Sequence, residues 1–386
     1  MRRWIASPFI FAAAFGLIVR EPESVSAQPK DGPVAETFNT ADGMQLHGLF
    51  HATNKNPSGA PVVVFMYPPG PDRDMTKGDW AGLAKKLNDE GYHVFQFDWR
   101  GHGKSTKITD KQKFWNNPYL NGRGNDFNAL IKVKPGAGSF TFKDITNPTK
   151  FMPAYLTDLA AVRVHLDSKN DNKDLNTSSI YIVGAGDATA LGMAWMTAEW
   201  NRPATFPNVN LLGLGVPGYE YIPQRLTGEF VEAGGDFGAA VWLTPNRPQS
   251  FPVKTLQNWI APPRTAPPGM VFAPKMRENN PMLFIYAEKD SNGDKQAKFF
   301  YNEVLVAEPK KGGMLEPVEM TKIFVVKGGE QLQGVKLLGQ DASLKTETTI
   351  AQYFAAIQKQ RQKLASKTRK YDTPYYIDAR YLALSP

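Results

Sequence analysis

Apolar residues in this chain come in short runs, separated by polar stretches rich in glycine and proline. The β-rich runs 34–40 and 45–51 flank Ala41-Asp42-Gly43 and predict a hairpin. The run 61–67, Pro-Val-Val-Val-Phe-Met-Tyr, is continuously apolar, as in a strand buried on both faces. Trp80, Leu83, Ala84 and Leu87 then fall on one helical stripe, Gly91 stops the helix, and 92–98 reads as the next strand. Strand, helix, strand at this spacing is a βαβ unit and implies a parallel sheet. The pattern recurs in an amphipathic helix at 152–166, a strand at 180–183 and an apolar helix at 191–200. Strands follow at 209–214, 282–286 and 322–326. A last helix at 347–363 buries Ile350, Tyr353, Phe354 and Ile357. Two stretches break the alternation. Residues 106–150 are polar with scattered aromatics (Phe114, Trp115, Tyr119, Phe127), and 217–280 are dense in proline; both are expected to arch over the C-terminal edge of the sheet. The tail, 367–386, carries Tyr371, Tyr375, Tyr376 and Tyr381 and is expected to pack on the surface.

The N-terminus has a different pattern. Met1-Arg2-Arg3 precedes an apolar run over 4–19, and Val25-Ser26-Ala27 stands before Gln28. This reads as a secretory signal peptide over 1–27, followed by a linker over 28–33. The run is shorter than the roughly 20 residues a spanning helix needs, which favours cleavage. The charges at Arg20, Glu21 and Glu23 leave an uncleaved anchor as the alternative. The expectation is an exported protein (periplasmic, secreted or cell-surface) with no membrane attachment after cleavage. The chain has no cysteine, which excludes disulfides, thiolate metal sites and a cysteine nucleophile. Net charge is +8 but spread along the chain. Its densest basic run (Lys359, Arg361, Lys363, Lys367, Arg369, Lys370) is expected to be a solvated face at a helix C-terminus. No aromatic or groove-reading signal accompanies it, so no nucleic-acid partner is expected.

The chemistry centres on the strand-to-helix corner at 179–192, where the apolar strand enters Gly184-Ala-Gly186-Asp187-Ala188 and an Ala-rich helix leaves it. Such a corner lifts one side chain above the C-terminal edge of the sheet, and small neighbours let the backbone close around it. With Gly184 and Ala188 as the small flanks, the tip is Gly186, which has no atom to attack with.

Four segments carry a resemblance: 62–70; 91–105, which contains Asp98-Trp-Arg100-Gly-His102-Gly-Lys-Ser105; the corner itself; and 282–290, Met-Leu-Phe-Ile-Tyr-Ala-Glu-Lys-Asp. The second is close to the Asp-x-Arg-Gly-x-Gly-x-Ser of the α/β-hydrolases, and over about 34–366 the chain resembles that family. The resemblance implies an α/β fold with a mostly parallel central sheet flanked by helices, and insertions over its C-terminal edge. It also implies a nucleophile, an acid and a histidine in that order. Gly186 takes the nucleophile position and Asp290 the acid position. Glu330 or Gln331 stands where the family has histidine. The five histidines (His47, His51, His93, His102, His165) all precede the corner, and His102 belongs to the Arg-Gly-His-Gly turn as a structural residue. Tyr67-Pro68-Pro69-Gly70 replaces the family's His-Gly oxyanion loop, and proline has no N–H to donate. One lost oxyanion donor costs about 3 kcal/mol, and loss of the serine or histidine alone costs about a millionfold in turnover.

The expectation is therefore a protein without an intact catalytic set that binds a small molecule or a protein partner through Tyr67, Gly70, Gly186 and Asp187. No cofactor and no metal is expected. Asp187 is read as a cap of the following helix, and Asp290 as a hydrogen-bonded loop anchor. The alternative is ester or amide hydrolysis by a carboxylate-based site, in which Asp187, Asp290 and Glu330 converge for acid–base chemistry or a divalent metal. A dinucleotide fingerprint at Gly184-Ala-Gly186 is weaker: its third glycine position is Thr189, and no acid ends a strand about twenty residues on.

Overall fold

In the computed structural model, strands β1 (Val34–Asn39), β2 (Gln45–His51), β3 (Val62–Met66), β4 (His93–Phe97), β5 (Ile180–Ala185), β6 (Phe237–Leu243), β7 (Met282–Ala287) and β8 (Lys322–Val326) form a single sheet. The structure describes residues 32–116, 127–200, 233–253, 256, 276, 279–305, 320–361, 364–369 and 375–377. The strand order is β1-β2-β4-β3-β5-β6-β7-β8. The hairpin β1–β2 and the pair β2–β4 are antiparallel, and every other pair is parallel. The continuous apolar runs become strands buried along their whole length, as for β3, β4, β5, β6 and β7. The longer helices are α1 (Trp80–Glu90), α2 (Leu156–Asp171), α3 (Ala188–Trp200), α4 (Ser291–Phe299) and α5 (Thr346–Arg361). α1 packs on α5 and α2 on α3, and α1 ends where Gly91 takes φ 96°.

The segment Asp98–Ser105 explains its own composition. Asp98 accepts from the backbone N–H groups of Met75 (2.7 Å) and Lys104 (3.0 Å) and from the Tyr67 hydroxyl (3.2 Å). Gly103 must be glycine: its φ is +47°, and a Cβ there would lie 2.1 Å from Asp98 Oδ2. Arg100 is fully buried, and its guanidinium spans two carboxylates, donating to Asp42 Oδ2 and Asp158 Oδ1 at 2.7 Å each. Its backbone N–H also donates to Asp158 Oδ2, at 2.9 Å. Burial opposes the Arg100 charge, but the two carboxylates outweigh it and hold the group above its ordinary value. Burial pushes the Asp158 carboxyl up to about 6. One side chain thus ties the β1–β2 turn, the loop after β4 and α2 together.

Several expectations need correction. The stretch 217–280 is not all excursion, because Phe237–Leu243 is a central strand between β5 and β7. The strand expected at 209–214 lies outside the described residues. β6 escapes sequence reading because its first half, Phe-Gly-Ala-Ala, lacks β-branched residues. Those small residues are there for space: a Cβ on Gly238 would meet the Tyr181 ring at 2.6 Å. The helix expected to be amphipathic over 152–166 starts at Leu156 and is buried on most sides, including Asp158, Arg163 and Asp167.

The basic run is a solvated face only in part: Lys359 and Lys367 are exposed, Lys363 and Lys370 lie outside the described residues, and the two arginines turn inward. Arg361 donates to the carbonyls of Phe237 (3.0 Å) and Gly235 (2.8 Å). Arg369 is 1% exposed and pairs with Asp236 at 2.6 Å; Asp236 also pairs with Arg163. Where the tail is described it is built into the protein: Tyr375, Tyr376 and Ile377 are buried, and the Tyr375 hydroxyl donates to Glu199 at 2.9 Å.

Removing one member of a buried ion cluster leaves the others uncompensated. Arg100→Met is therefore expected to lower unfolding free energy by about 3–5 kcal/mol in urea titration. Lys85→Ala, which breaks the exposed Lys85–Asp89 pair, should change it by less than about 0.5 kcal/mol. Equal effects of the two substitutions would contradict this account of the cluster.

Candidate functional site

β5 delivers the corner, and α3 leaves it after two residues. Gly186 sits at the tip with φ +54°, the left-handed conformation such a corner requires. Its N–H donates to the Leu243 carbonyl (3.0 Å), and its own carbonyl accepts from Thr189 and Asn246 (3.1 Å each). The corner is tight because Trp242 on β6 fills the space beside it. A Cβ on Gly184 would lie 2.7 Å from that indole, and one on Gly192 would lie 2.4 Å from it. Pro68 lies over the tip, with its Cβ 3.3 Å from where a Gly186 Cβ would stand.

The neighbouring loop is fully engaged. Pro68 and Pro69 have no N–H, and the Gly70 N–H donates to His102 Nε2 at 3.0 Å. His102 Nδ1 lies 3.0 Å from the Arg100 carbonyl, so the ring carries its proton on Nδ1 and accepts at Nε2. Burial pushes this imidazole down to about 4, against the hydrogen bonds that favour its charged form. His102 is thus a neutral brace between two loops, as its turn position implied.

Asp290 caps α4, accepting from the Gly293 N–H at 3.0 Å, and is 3% exposed. Its other partner is Gln333, whose Nε2 donates to Asp290 Oδ1 at 2.9 Å. The side chain that bonds the acid is therefore Gln333, and not Glu330 or Gln331. Glu330 turns outward at φ 43° and pairs with Lys289 only at 3.9 Å. The positive φ of Glu330 and of Gly328 bends the chain after β8, so counting from the strand end falls short by two or three residues.

Asp187 does not serve as the cap expected of it. It is half-buried, and its Oδ1 accepts from Asn246 Nδ2. Burial raises its carboxyl, while the Asn246 bond and the charge of Arg73 draw it down. Glu330 is exposed and turned outward, away from the buried Asp290, whose two side-chain bonds both fall on Oδ1 while Oδ2 has no partner. Among the described residues, no group of three or more His, Asp or Glu side chains is placed to hold a metal ion.

Two clefts meet at Asp187 and Asn246. One, of about 520 Å³, runs past Gly70 and is walled by Pro69, Phe142, Pro148, Met152 and Tyr155. The other, of about 620 Å³, runs past Tyr67 and Gly186 and is walled by Arg73, Thr244, Gln333 and Lys336. Both fall within the size range of small-molecule sites. Phe142 and Pro148 come from the end of the first irregular stretch, so that part of it does border the sheet edge.

A family model for the alpha/beta hydrolase fold matches residues 46–170. No curated protein sequence matches the chain. Among solved structures, the chain is similar to an esterase from Pyrococcus furiosus, at 13% identity and TM-score 0.43 over 84% of this chain and 90% of that one. It is similar to a predicted CIB-like hydrolase from Thermoplasma acidophilum, at 11% identity and TM-score 0.41 over 86% and 98%. Esterase B from Lactobacillus rhamnosis gives 12% identity and TM-score 0.45 over 86% and 90%. The chain has the α/β-hydrolase fold, on the strand order and the matched segment together.

Burial sets the titration of His102. Its folded pKa, about 4, lies below its ordinary 6.5, so its contribution to stability is complete above pH 6.5 and is lost as pH falls through about 4. Histidine NMR is expected to show His102 neutral, as the Nδ1–H tautomer, down to about pH 4. A midpoint near 6.5 would mean that the ring is open to water and not buried between the two loops.

Proposed function

We propose that this is an exported protein that uses the α/β-hydrolase scaffold to bind a small molecule and does not act as a serine hydrolase. One observation carries the reading: the tip of the corner is Gly186, at φ +54°, with Pro68 lying over it. No oxygen or sulfur stands where the attack would start. The rest of the machinery is missing in the same way. Asp290 faces the Gln333 amide, which cannot take a proton as imidazole does. The Gly70 N–H is given to His102, which leaves the loop without a free oxyanion donor among Pro68, Pro69 and Gly70. What the corner retains is space bordered by Arg73, Asn246 and Thr244, a setting suited to holding a ligand. Export is supported by the segment 1–27, with its basic start, apolar run and Val25-Ser26-Ala27.

The purified protein is expected to hydrolyse p-nitrophenyl acetate and butyrate at the buffer rate, and Gly186→Ser alone should not raise it, because no base faces residue 186. Wild-type turnover that Asp187→Asn abolishes would overturn the reading and restore a carboxylate mechanism. Export has a separate check: expressed in a bacterial host with its leader, the processed protein should begin at Gln28. Full-length protein retained in the cytoplasm would reject it.

A further inference from the structure

The two clefts differ in chemistry, and they share the Asp187–Asn246 pair as a common threshold. The smaller is apolar over most of its wall, with Phe142, Pro148, Met152 and Tyr155; Arg247 also lines it, its Nη1 donating to the Phe251 carbonyl at 3.1 Å. The larger is polar and carries both signs of charge: Arg73, Lys77 and Lys336 stand beside Asp74 and Asp79, and Lys77 pairs with Asp74 at 3.5 Å. Arg73 stands beside the vacated corner: its Nη1 reaches the Pro68 carbonyl only at 3.4 Å, and its Cδ is 3.4 Å from where a Gly70 Cβ would be. No ion pair of Arg73 is formed among the described residues, so its guanidinium keeps most of its donors.

A second observation points to the same place. Thr244 follows β6, lines the larger cleft and is 6% exposed, yet its Oγ1 has no hydrogen-bond partner. A buried hydroxyl without a partner costs about 1–3 kcal/mol unless something bonds to it. Thr244 is also held at φ +44°, where a β-branched residue is strained.

We infer that the joined clefts take an amphiphilic monocarboxylate, its carboxylate bonded by the Arg73 guanidinium and the Thr244 hydroxyl and its hydrocarbon part lying along Phe142, Met152 and Tyr155. The planar fork of arginine matches a carboxylate with two parallel hydrogen bonds, better than it fits a single neutral oxygen. The apolar wall gives affinity that grows with each methylene removed from water. Asp187 stands between the two parts as an opposing charge, and its Oδ1 is partly satisfied by Asn246. It selects against a second negative group and against a head that reaches too far across the threshold. This inference rests on the ligand-binding reading above and names the class of ligand.

The test is calorimetric titration of the purified full-length protein with butanoate, hexanoate, octanoate and decanoate, beside the matching primary amides. The acids are expected to bind more tightly as the chain lengthens, and each to bind more tightly than its amide. Arg73→Ala, at an exposed position, should weaken decanoate by about tenfold and leave decanamide unchanged. Thr244→Val keeps the side-chain shape and should weaken the acid several-fold. Asp187→Asn removes the opposing charge and should tighten it. Amides that bind as well as acids, or an Arg73→Ala variant with full acid affinity, would overturn the carboxylate assignment and leave ligand binding intact. Asp187→Asn weakening the acid would overturn it too, since that is the response of a cationic head. Hydrolysis of p-nitrophenyl esters by wild type would instead remove the reading on which this one rests.

Discussion

Arg100 holds its charge without water, and the chain from the first hairpin to α2 is arranged so that it can. A guanidinium in a protein interior persists only where carboxylates and hydrogen bonds replace its hydration. Asp42 supplies one from the hairpin turn and Asp158 the other from the first turn of α2. Those two elements lie far apart in sequence, and the bridge between them fixes the height of the loop that follows β4. That loop carries Asp98, which holds Tyr67 and Met75, and His102, which holds Gly70. The walls of both clefts are therefore set by a cluster that touches neither of them.

The scaffold was largely legible in the sequence because its strands are apolar along their whole length and its stops are chemical. The run 61–67 and the Gly91 stop appear almost where the sequence put them. β6 was not legible. Gly238, Ala239 and Ala240 look like loop residues by propensity, and prolines follow close behind. Only the Tyr181 ring, 2.6 Å from where a Gly238 Cβ would stand, explains the glycine, and that crowding is tertiary. The buried ends of Arg361 and Arg369 were missed for a similar reason, because a basic run says nothing of carboxylates that arrive from elsewhere in the chain.

The site was half legible. Gly186 at the corner follows from the spacing of Gly184 and Ala188, and its positive φ agrees with that register. The partner of Asp290 did not follow, because the chain turns at Gly328 and Glu330 and brings Gln333 around instead. Asp187 was assigned to the helix by proximity in sequence, whereas Asn246, fifty-nine residues on, competes successfully for it. Local preference yields wherever a distant group offers a better bond in a drier place.

The pairing of Arg369 with Asp236 makes a late segment of the chain part of the foundation of the sheet. Asp236 stands just before β6 and also pairs with Arg163 on α2, so one carboxylate joins a central strand, a helix and a segment 133 residues further on. Cutting the chain before Arg369 would therefore disturb the middle of the sheet and not merely shorten an end.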